Sequence, residues 1–142
     1  MMRAYLDTSV LLRKALGEPA AFNAWDQLEK CYTSEITFVE SFKVLDRLRL
    51  EGKLQDVEVS QKMRLLREMF SALGSITLNR AVLDRASQSF PTVVGTIDAI
   101  HLGSALLYVE RQKEKLVFLT HDVQLAVAAQ ALGFDVIGTK TS

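Results

Sequence analysis

Short apolar runs alternate along this chain with longer stretches of helical periodicity. The apolar runs predict strands over residues 2–6, 31–33, 75–78, 116–119 and 135–137. Helical spacing predicts helices over residues 10–16, 19–28, 37–50, 60–73, 80–89, 96–113 and 123–132. Strands that alternate with helices imply right-handed crossovers and a mostly parallel sheet covered on both faces. The chain is therefore predicted to be one α/β domain over residues 1–142, a three-layer α/β/α sandwich with a mostly parallel central sheet.

Two of the predicted helices have features of their own. Pro19 is well placed to start the helix over residues 19–28, because its missing N–H costs nothing in a first turn. The helix over residues 60–73 has an apolar stripe that is sufficient to close a core, and further apolar residues widen it: Leu65, Met69 and Ala72. Surplus apolar surface of this kind predicts a region that a partner covers.

Composition narrows the class of protein. Among 142 residues, Lys plus Arg and Asp plus Glu number 17 each, so no overall positive field holds nucleic acid. Cys31 is the single cysteine and cannot form an internal disulfide, and a strand that begins at the second residue leaves no room for a signal peptide. We therefore expect a reducing, cytoplasmic setting. No apolar run approaches the roughly 20 residues that span a bilayer, so no membrane is expected.

Four acidic residues lie where a strand gives way to a helix or in the first turns of a helix: Asp7, Glu40, Asp98 and Asp122. Each has a structural alternative. Asp7 could close an Asx-turn, and Glu40 could complete a capping box with Thr37. Asp98 and Asp122 occupy helix N-termini, where the helix dipole stabilises a carboxylate.

The surroundings of these acids suggest a cation as well. Glu40 lies four residues from Ile36 on one side and from Val44 on the other, and Asp98 lies in an otherwise apolar turn. A carboxylate in apolar surroundings is costly unless it has a cation or several donors. Carboxylate ligands without a cysteine or histidine cluster favour Mg²⁺ or Mn²⁺ over zinc. His101, one turn after Asp98, is expected to pack or to hydrogen-bond rather than to bind metal.

Four segments of the chain resemble the PIN-domain ribonucleases, particularly the VapC-type toxins of toxin–antitoxin pairs. They are Tyr5-Leu6-Asp7-Thr8-Ser9-Val10-Leu11-Leu12, Ser34-Glu35-Ile36-Thr37-Phe38-Val39-Glu40, Thr96-Ile97-Asp98-Ala99-Ile100-His101-Leu102-Gly103-Ser104-Ala105, and Leu119-Thr120-His121-Asp122 with Ala128-Ala129 and Gly133. Gly103 stands where many relatives carry alanine. The resemblance implies a metal-dependent endoribonuclease that uses Mg²⁺ or Mn²⁺, with a cognate antitoxin and a homodimeric assembly.

The same resemblance implies roles for individual residues. Asp7 and Asp98 are the leading metal ligands, Asp122 binds directly or through water, and Glu40 is a ligand or orients the attacking water. Ser9 and Thr120 support the four acids. Single-stranded or looped RNA is the implied substrate.

Substrate binding must come from local positive charge. The candidates for phosphate binding follow Asp7 and Glu40 along the chain, and they are Arg13, Lys14, Lys43 and Arg47. Each of them could also be an ordinary solvated or ion-paired surface residue. A phosphate-receiving domain would need paired acids after the first strand, and a phosphoaspartate phosphatase would need a carboxylate where Ser9 stands. A non-catalytic PIN-like module that binds RNA or protein stays open as the alternative.

Overall fold

The computed structural model describes residues 1–139, and its centre is a five-stranded sheet. The strands are β1 (Met2–Leu6), β2 (Leu28–Ser34), β3 (Gly74–Ile76), β4 (Val117–Leu119) and β5 (Val136–Ile137). They lie in the order β3-β2-β1-β4-β5, with each neighbouring pair parallel. The strand order reverses between β1 and β4, which is the usual position of a ligand site in an open α/β sheet. Residues 140–142 of the predicted domain lie outside the described residues.

Helices cover both faces of this sheet, as predicted. They are α1 (Thr8–Ala15), α2 (Ile36–Leu50), α3 (Asp56–Ser71), α4 (Arg80–Ala86), α5 (Thr96–Gln112) and α6 (Val123–Ala131). Side chains of β1 alternate between the two layers: Tyr5 packs with residues of α5 and α6, whereas Ala4 and Leu6 pack with residues of α1. No helix within residues 1–139 is long and apolar enough to cross a membrane.

The prediction of a helix over residues 19–28 is wrong. This segment is irregular apart from a 3₁₀ turn at Trp25–Gln27, and Leu28 already begins β2. The Phe22 N–H donates to His121 Nε2 (3.2 Å), and the Trp25 indole N–H donates to the Phe22 carbonyl (2.9 Å). The backbone N–H of Phe22, which a helix would use for an intrahelical hydrogen bond, therefore donates to a side chain 99 positions away. Local periodicity cannot reveal such a contact.

The start of α3 also differs from the prediction, because the helix begins at Asp56 rather than at Ser60. A capping box precedes it, in which Glu58 Oε1 accepts the backbone N–H of Gln55 (3.0 Å). This interaction satisfies a donor that the first turn leaves without an intrahelical partner, and it extends the helix toward its N-terminus.

The apolar surplus predicted on α3 is largely used inside the chain. Leu66 is buried, and Leu65 and Met69 pack against the cluster that joins α1, α2 and α3. Of the three residues expected to widen the stripe, only Ala72 is exposed. Large exposed apolar side chains lie instead mainly on other elements, including Phe38 and Val39 on α2 and Val123 and Val127 on α6.

α4 and α5 approach each other closely at Gly103. A Cβ atom at this position would lie 3.2 Å from the backbone nitrogen of Ala86, tighter than ordinary van der Waals contact. The glycine therefore allows α4 to pack directly on the backbone of α5. This close packing fixes α5, whose first turn carries Asp98.

Candidate active site

The topology brings the four acids to the carboxyl edge of the sheet. Asp7 directly follows β1, and its N–H donates to the carbonyl of Leu119 at the end of β4 (3.3 Å). Asp122 follows the end of β4 and precedes α6, while Glu40 lies in the second turn of α2, which follows β2. Asp98 lies in the first turn of α5. These four residues are called the acidic site below.

Asp7 is the most buried member of the acidic site, with 5% of its surface exposed. Ser9 Oγ donates to Oδ1 (2.6 Å), and Thr120 Oγ1 donates to Oδ2 (2.8 Å). Burial raises the pKa of Asp7, and His101 and the two hydroxyl donors partly offset that rise. The Asx-turn alternative is not what holds this carboxylate, because both oxygens are bound by side-chain hydroxyls.

Ser9 and Thr120 also connect Asp7 to the segment that carries Asp122. Ser9 Oγ accepts the backbone N–H of His121 (3.1 Å), and Thr120 Oγ1 accepts the N–H of Asp122 (3.0 Å). Each hydroxyl therefore donates to one acid and accepts from the segment around another. The two residues lie where a supporting role requires them, and the role itself stays a prediction.

Glu40 does not form the capping box that Thr37 suggested. α2 begins at Ile36, and the Thr37 hydroxyl bonds to Thr33 Oγ1 (2.6 Å). Glu40 Oε1 instead accepts hydrogen bonds from Thr8 Oγ1 (2.5 Å) and from His101 Nε2 (2.8 Å). These contacts turn the carboxylate toward the start of α1.

His101 is buried and uses both ring nitrogens, as a hydrogen-bonding histidine rather than a free ligand. Because the Glu40 carboxylate can only accept, Nε2 carries a proton, and Nδ1 of a neutral ring accepts from the Tyr5 hydroxyl (2.7 Å). Burial raises the pKa of Tyr5, which keeps this donor protonated. Burial alone would raise the pKa of Glu40, but hydrogen bonds from His101 and Thr8 outweigh burial and lower it.

The residues that sequence reasoning missed are Tyr5 and Thr8. Tyr5 and His101 are 96 positions apart, so their contact left no local signal. A weaker signal was present, because Tyr5 alternates with Ala4 and Leu6 and must face the layer that contains α5. Thr8 immediately follows Asp7 and precedes Ser9, and its hydroxyl was not assigned a role.

Asp122 and Asp98 differ in their local contacts. Asp122 is exposed and caps α6, with Oδ1 accepting the N–H of Leu125 (3.1 Å), so its structural alternative is confirmed. Asp98 has no side-chain hydrogen bond to residues 1–139. Burial raises the pKa of Asp98, and the negative charges of Asp122, Asp7 and Glu40 raise it further, in that order, against a lowering effect of His101. All four carboxylates are therefore close enough to interact electrostatically.

The donor atoms of the acidic site suit a hard cation, because they are carboxylate and hydroxyl oxygens. Within residues 1–139, no group of three or more His, Cys, Asp or Glu side chains is already arranged to hold a metal ion. Asp7 accepts hydrogen bonds from two hydroxyls, and Glu40 accepts them from His101 and Thr8. Asp98 and one oxygen of Asp122 accept no side-chain hydrogen bond from residues 1–139. Ligation therefore requires side-chain rotation, and the residue types fit Mg²⁺ or Mn²⁺.

The four basic residues predicted to bind substrate do not gather at the acidic site. Arg13 pairs with Glu18 (3.6 Å), the Lys14 ammonium lies over the Trp25 ring, and Arg47 pairs with Glu51 (3.7 Å). At a rise of about 1.5 Å per residue, Lys14 and Arg47 each lie about 10 Å along a helix from the nearest acid of their segment. Lys43 is different. It is exposed, lies one turn from Glu40, and has no ion-pair partner in the described part of the chain.

Comparison with known proteins identifies the family that this sequence matches. The profile of the PIN domain matches residues 4–131. The chain is 26% identical over 137 residues to Ribonuclease VapC47 of Mycobacterium tuberculosis, and the match covers 92% of each protein.

Three solved structures share the fold. A toxin–antitoxin complex from Klebsiella pneumoniae superposes with a TM-score of 0.62 at 20% identity, covering 97% of this chain and 96% of that one. PAE2754 from Pyrobaculum aerophilum gives 0.60 at 17% identity, with 95% and 83% covered. FitAcB from Neisseria gonorrhoeae gives 0.60 at 18% identity, with 96% of each chain covered. At these identities the structures establish the fold alone.

Proposed function

Because this chain belongs to the PIN-domain family, we propose that it is a metal-dependent endoribonuclease that hydrolyses RNA phosphodiester bonds. The proposal includes a role as the toxin of a type II toxin–antitoxin pair. One observation supports it most directly: the charges of Asp122, Asp7 and Glu40 all act to raise the pKa of Asp98. Of the four, Asp122 caps a helix through its side chain, whereas Asp7 makes no side-chain cap hydrogen bond and Glu40 is bound by His101 and Thr8. A bound cation would relieve the repulsion among the four carboxylates.

We assign the metal to the acidic site and its identity to Mg²⁺ or Mn²⁺, on the basis of the oxygen donors. Asp7 and Asp98 would be its ligands, with Asp122 binding directly or through water and Glu40 as a further candidate. A bound ion of this kind lowers the pKa of a coordinated water and neutralises negative charge that develops on the phosphoryl group.

The surrounding residues would hold these carboxylates in their working orientation. Ser9 and Thr120 each bind one oxygen of Asp7, and a single rotamer is thereby favoured. His101 and Thr8 both bind Oε1 of Glu40. Oε2 of Glu40 has no hydrogen bond to residues 1–139, and the lowered pKa keeps this carboxylate ionised at neutral pH. Glu40 would therefore orient the attacking water through Oε2.

RNA would be held near the acidic site by few positive charges, since the chain has no net charge. Lys43 is the basic residue whose position favours this role, one turn from Glu40. Arg13, Lys14 and Arg47 have intramolecular partners and are weaker candidates.

We also propose an antitoxin partner and a homodimer. Exposed apolar side chains lie next to the acids in sequence: Phe38 and Val39 precede Glu40, and Val123 follows Asp122. A protein that covered these side chains would also close the acidic site to RNA. The Klebsiella pneumoniae structure, which is described as a toxin–antitoxin complex, has the same fold and supports this part of the proposal.

The function is tested by expression of the chain alone in bacteria, with and without the neighbouring reading frame. We expect arrest of growth and protein synthesis before DNA synthesis falls, and we expect co-expression to relieve the arrest through a co-purifying complex. Normal growth with abundant folded protein would favour the non-catalytic binding module. Light scattering that gives a monomer over a wide concentration range would contradict the homodimer.

A further inference from the structure

A cleft of about 580 Å³ lies between α4, the segment of residues 87–95 and the start of α5. Its walls include Leu83 and Ala86 of α4, Gln88, Phe90 and Thr92 of the connecting segment, and Thr96, Ala99 and Ile100 of α5. This volume is within the range of small-molecule sites, roughly 300–1,000 Å³. The α4–α5 cleft is large enough for one nucleobase with part of its sugar.

The α4–α5 cleft adjoins two members of the acidic site. Thr96 and Ala99 lie in the first turn of α5 on either side of Asp98. The side-chain amide of Gln124 donates to the carbonyl of Val93, which lines the cleft (3.0 Å). Gln124 is two residues after Asp122, so this bond ties one wall of the cleft to the first turn of α6. Neither acid lines the cleft, but Asp98 lies within two residues of Thr96 and Ala99, so a base in the cleft would belong to a nucleotide next to the acidic site.

The lining of the α4–α5 cleft is uncharged among the described residues. Neutral walls do not favour a phosphate, whereas they suit a planar uncharged ring with hydrogen-bonding edges. Thr92 Oγ1 is shielded from solvent and has no hydrogen-bond partner within residues 1–139. An unsatisfied buried hydroxyl is costly, and rotation about χ1 of Thr92, whose side chain is half-buried, would turn the hydroxyl toward a ligand edge in the cleft. The Gln88 amide can both donate and accept.

We propose that the α4–α5 cleft binds the RNA base next to the cleaved phosphodiester and thereby sets the sequence preference of cleavage. This inference rests on the proposed RNA hydrolysis. Gln88 and Thr92 would contact the base edge, and Phe90 with the aliphatic side chains would pack against the ring. Specific recognition of RNA uses unstacked bases that are read in this way, by apolar contact and by hydrogen bonds to their edges.

The test separates base recognition from cleavage. The full chain carrying Asp98→Asn is titrated in EDTA with four short single-stranded RNAs that differ only at one base, and the same RNAs are cleaved by wild-type protein with Mn²⁺. Gln88→Ala and Thr92→Val are compared with Gln61→Ala, which removes the same amide from an exposed position on α3. Each variant is first shown to unfold cooperatively at or above the wild-type melting temperature.

We expect one base to bind best in EDTA and to be the preferred cleavage site. Gln88→Ala and Thr92→Val should weaken its binding about two- to tenfold, as loss of one neutral hydrogen bond predicts, and should flatten the preference. Gln61→Ala should change neither. Cleavage that keeps its base preference in both cleft variants would overturn the cleft inference and leave the proposed function intact. Base-dependent binding that is lost in the cleft variants, with no cleavage by wild type, would overturn the proposed function and the role of the cleft in cleavage preference, and would leave the cleft as a base-binding site of a non-catalytic module. Absence of both binding preference and cleavage would overturn both.

Discussion

Tyr5→Phe tests the buried hydrogen-bond chain behind the acidic site. The substitution removes one hydroxyl from a fully buried side chain and keeps the ring that stacks on Phe118 at 5.2 Å between centroids. The lost bond is the 2.7 Å contact with His101 Nδ1, a nitrogen that water cannot easily reach. The variant therefore leaves a buried acceptor without a donor.

The expected cost follows from that unsatisfied nitrogen. A buried polar atom left without its partner costs about 1–3 kcal/mol. For a chain of this size, roughly 4 °C of melting temperature corresponds to 1 kcal/mol, so the variant should melt about 4–12 °C lower. Tyr108→Phe is the matched control, because it removes a hydroxyl that donates to Glu114 at a half-buried position. The Glu114 side chain is partly exposed, so water can replace the lost donor, and the cost should be about 0.5–1 kcal/mol, or about 2–4 °C.

The same variant has a functional consequence under the proposed mechanism. Without the Tyr5 hydroxyl, Nδ1 of His101 loses its hydrogen bond, and the ring that donates to Glu40 is oriented from one side only. Loss of such an orienting contact should lower kcat about 10–100-fold, with a smaller effect on KM. Scanning calorimetry and single-substrate RNA kinetics measure the two effects. Equal melting temperatures for Tyr5→Phe and Tyr108→Phe would refute the assigned hydrogen-bond chain.

Three further predictions concern the acids and their support. Asp98→Asn should raise the melting temperature of the metal-free protein, because it removes a charge that three other carboxylates oppose, and it should reduce the stabilisation by added Mn²⁺ in a thermal-shift titration. In EDTA, Asp98→Asn should stabilise the protein more, and Glu40→Gln should destabilise it more, as pH rises from about 4 to 6. The pKa of Asp98 is raised in the folded protein, so its ionisation costs stability as pH rises through the folded pKa, and the Asn variant avoids this cost. The pKa of Glu40 is lowered in the folded protein, so its ionised form contributes stability that is present above about 4.5 and is lost in the Gln variant. A gain and a loss that do not change with pH would contradict these shifts. Gly138→Ala should lower the free energy of unfolding in urea by at least about 2 kcal/mol, because φ is +102° and a Cβ would collide with the Thr120 carbonyl. Gly17→Ala is the control and should cost about 1 kcal/mol, because φ is +69° but the space around a Cβ is open. Equal costs would show that Thr120 is not held by the contact with Gly138.

The sequence was sufficient to predict the parallel sheet and the position of each acid at a strand end or in the first turns of a helix. Period-two and period-3.6 patterns are local signals, and Asp7 and Asp122 follow strands whose carboxyl ends must meet at one edge. The cap at Asp122 was also readable, since a residue of this type before an apolar helix satisfies the first-turn donors.

Contacts between distant segments were not readable. Glu40 meets His101 across 61 positions, and its spacing from Thr37 suggested a different partner. Lys14 was a candidate for phosphate binding, yet its ammonium lies over Trp25, which belongs to a segment wrongly predicted as helix. In both cases the side chain contacts a residue that is distant in sequence, and the local sequence pattern had suggested a different partner.

The central claim is that the acidic site is a metal-dependent centre for RNA cleavage, and one assay tests it directly. Purified wild type, Asp98→Asn and Asp135→Asn are incubated with single-stranded RNA in Mn²⁺ or in EDTA. Asp135 is the control acid, because it precedes β5 at the opposite edge of the sheet and pairs with Lys115 (3.1 Å) on the surface. We predict cleavage by wild type and Asp135→Asn in Mn²⁺, none in EDTA, and none by Asp98→Asn under either condition. Cleavage by Asp98→Asn at the wild-type rate, or a wild type that leaves RNA intact in Mn²⁺, would contradict the account.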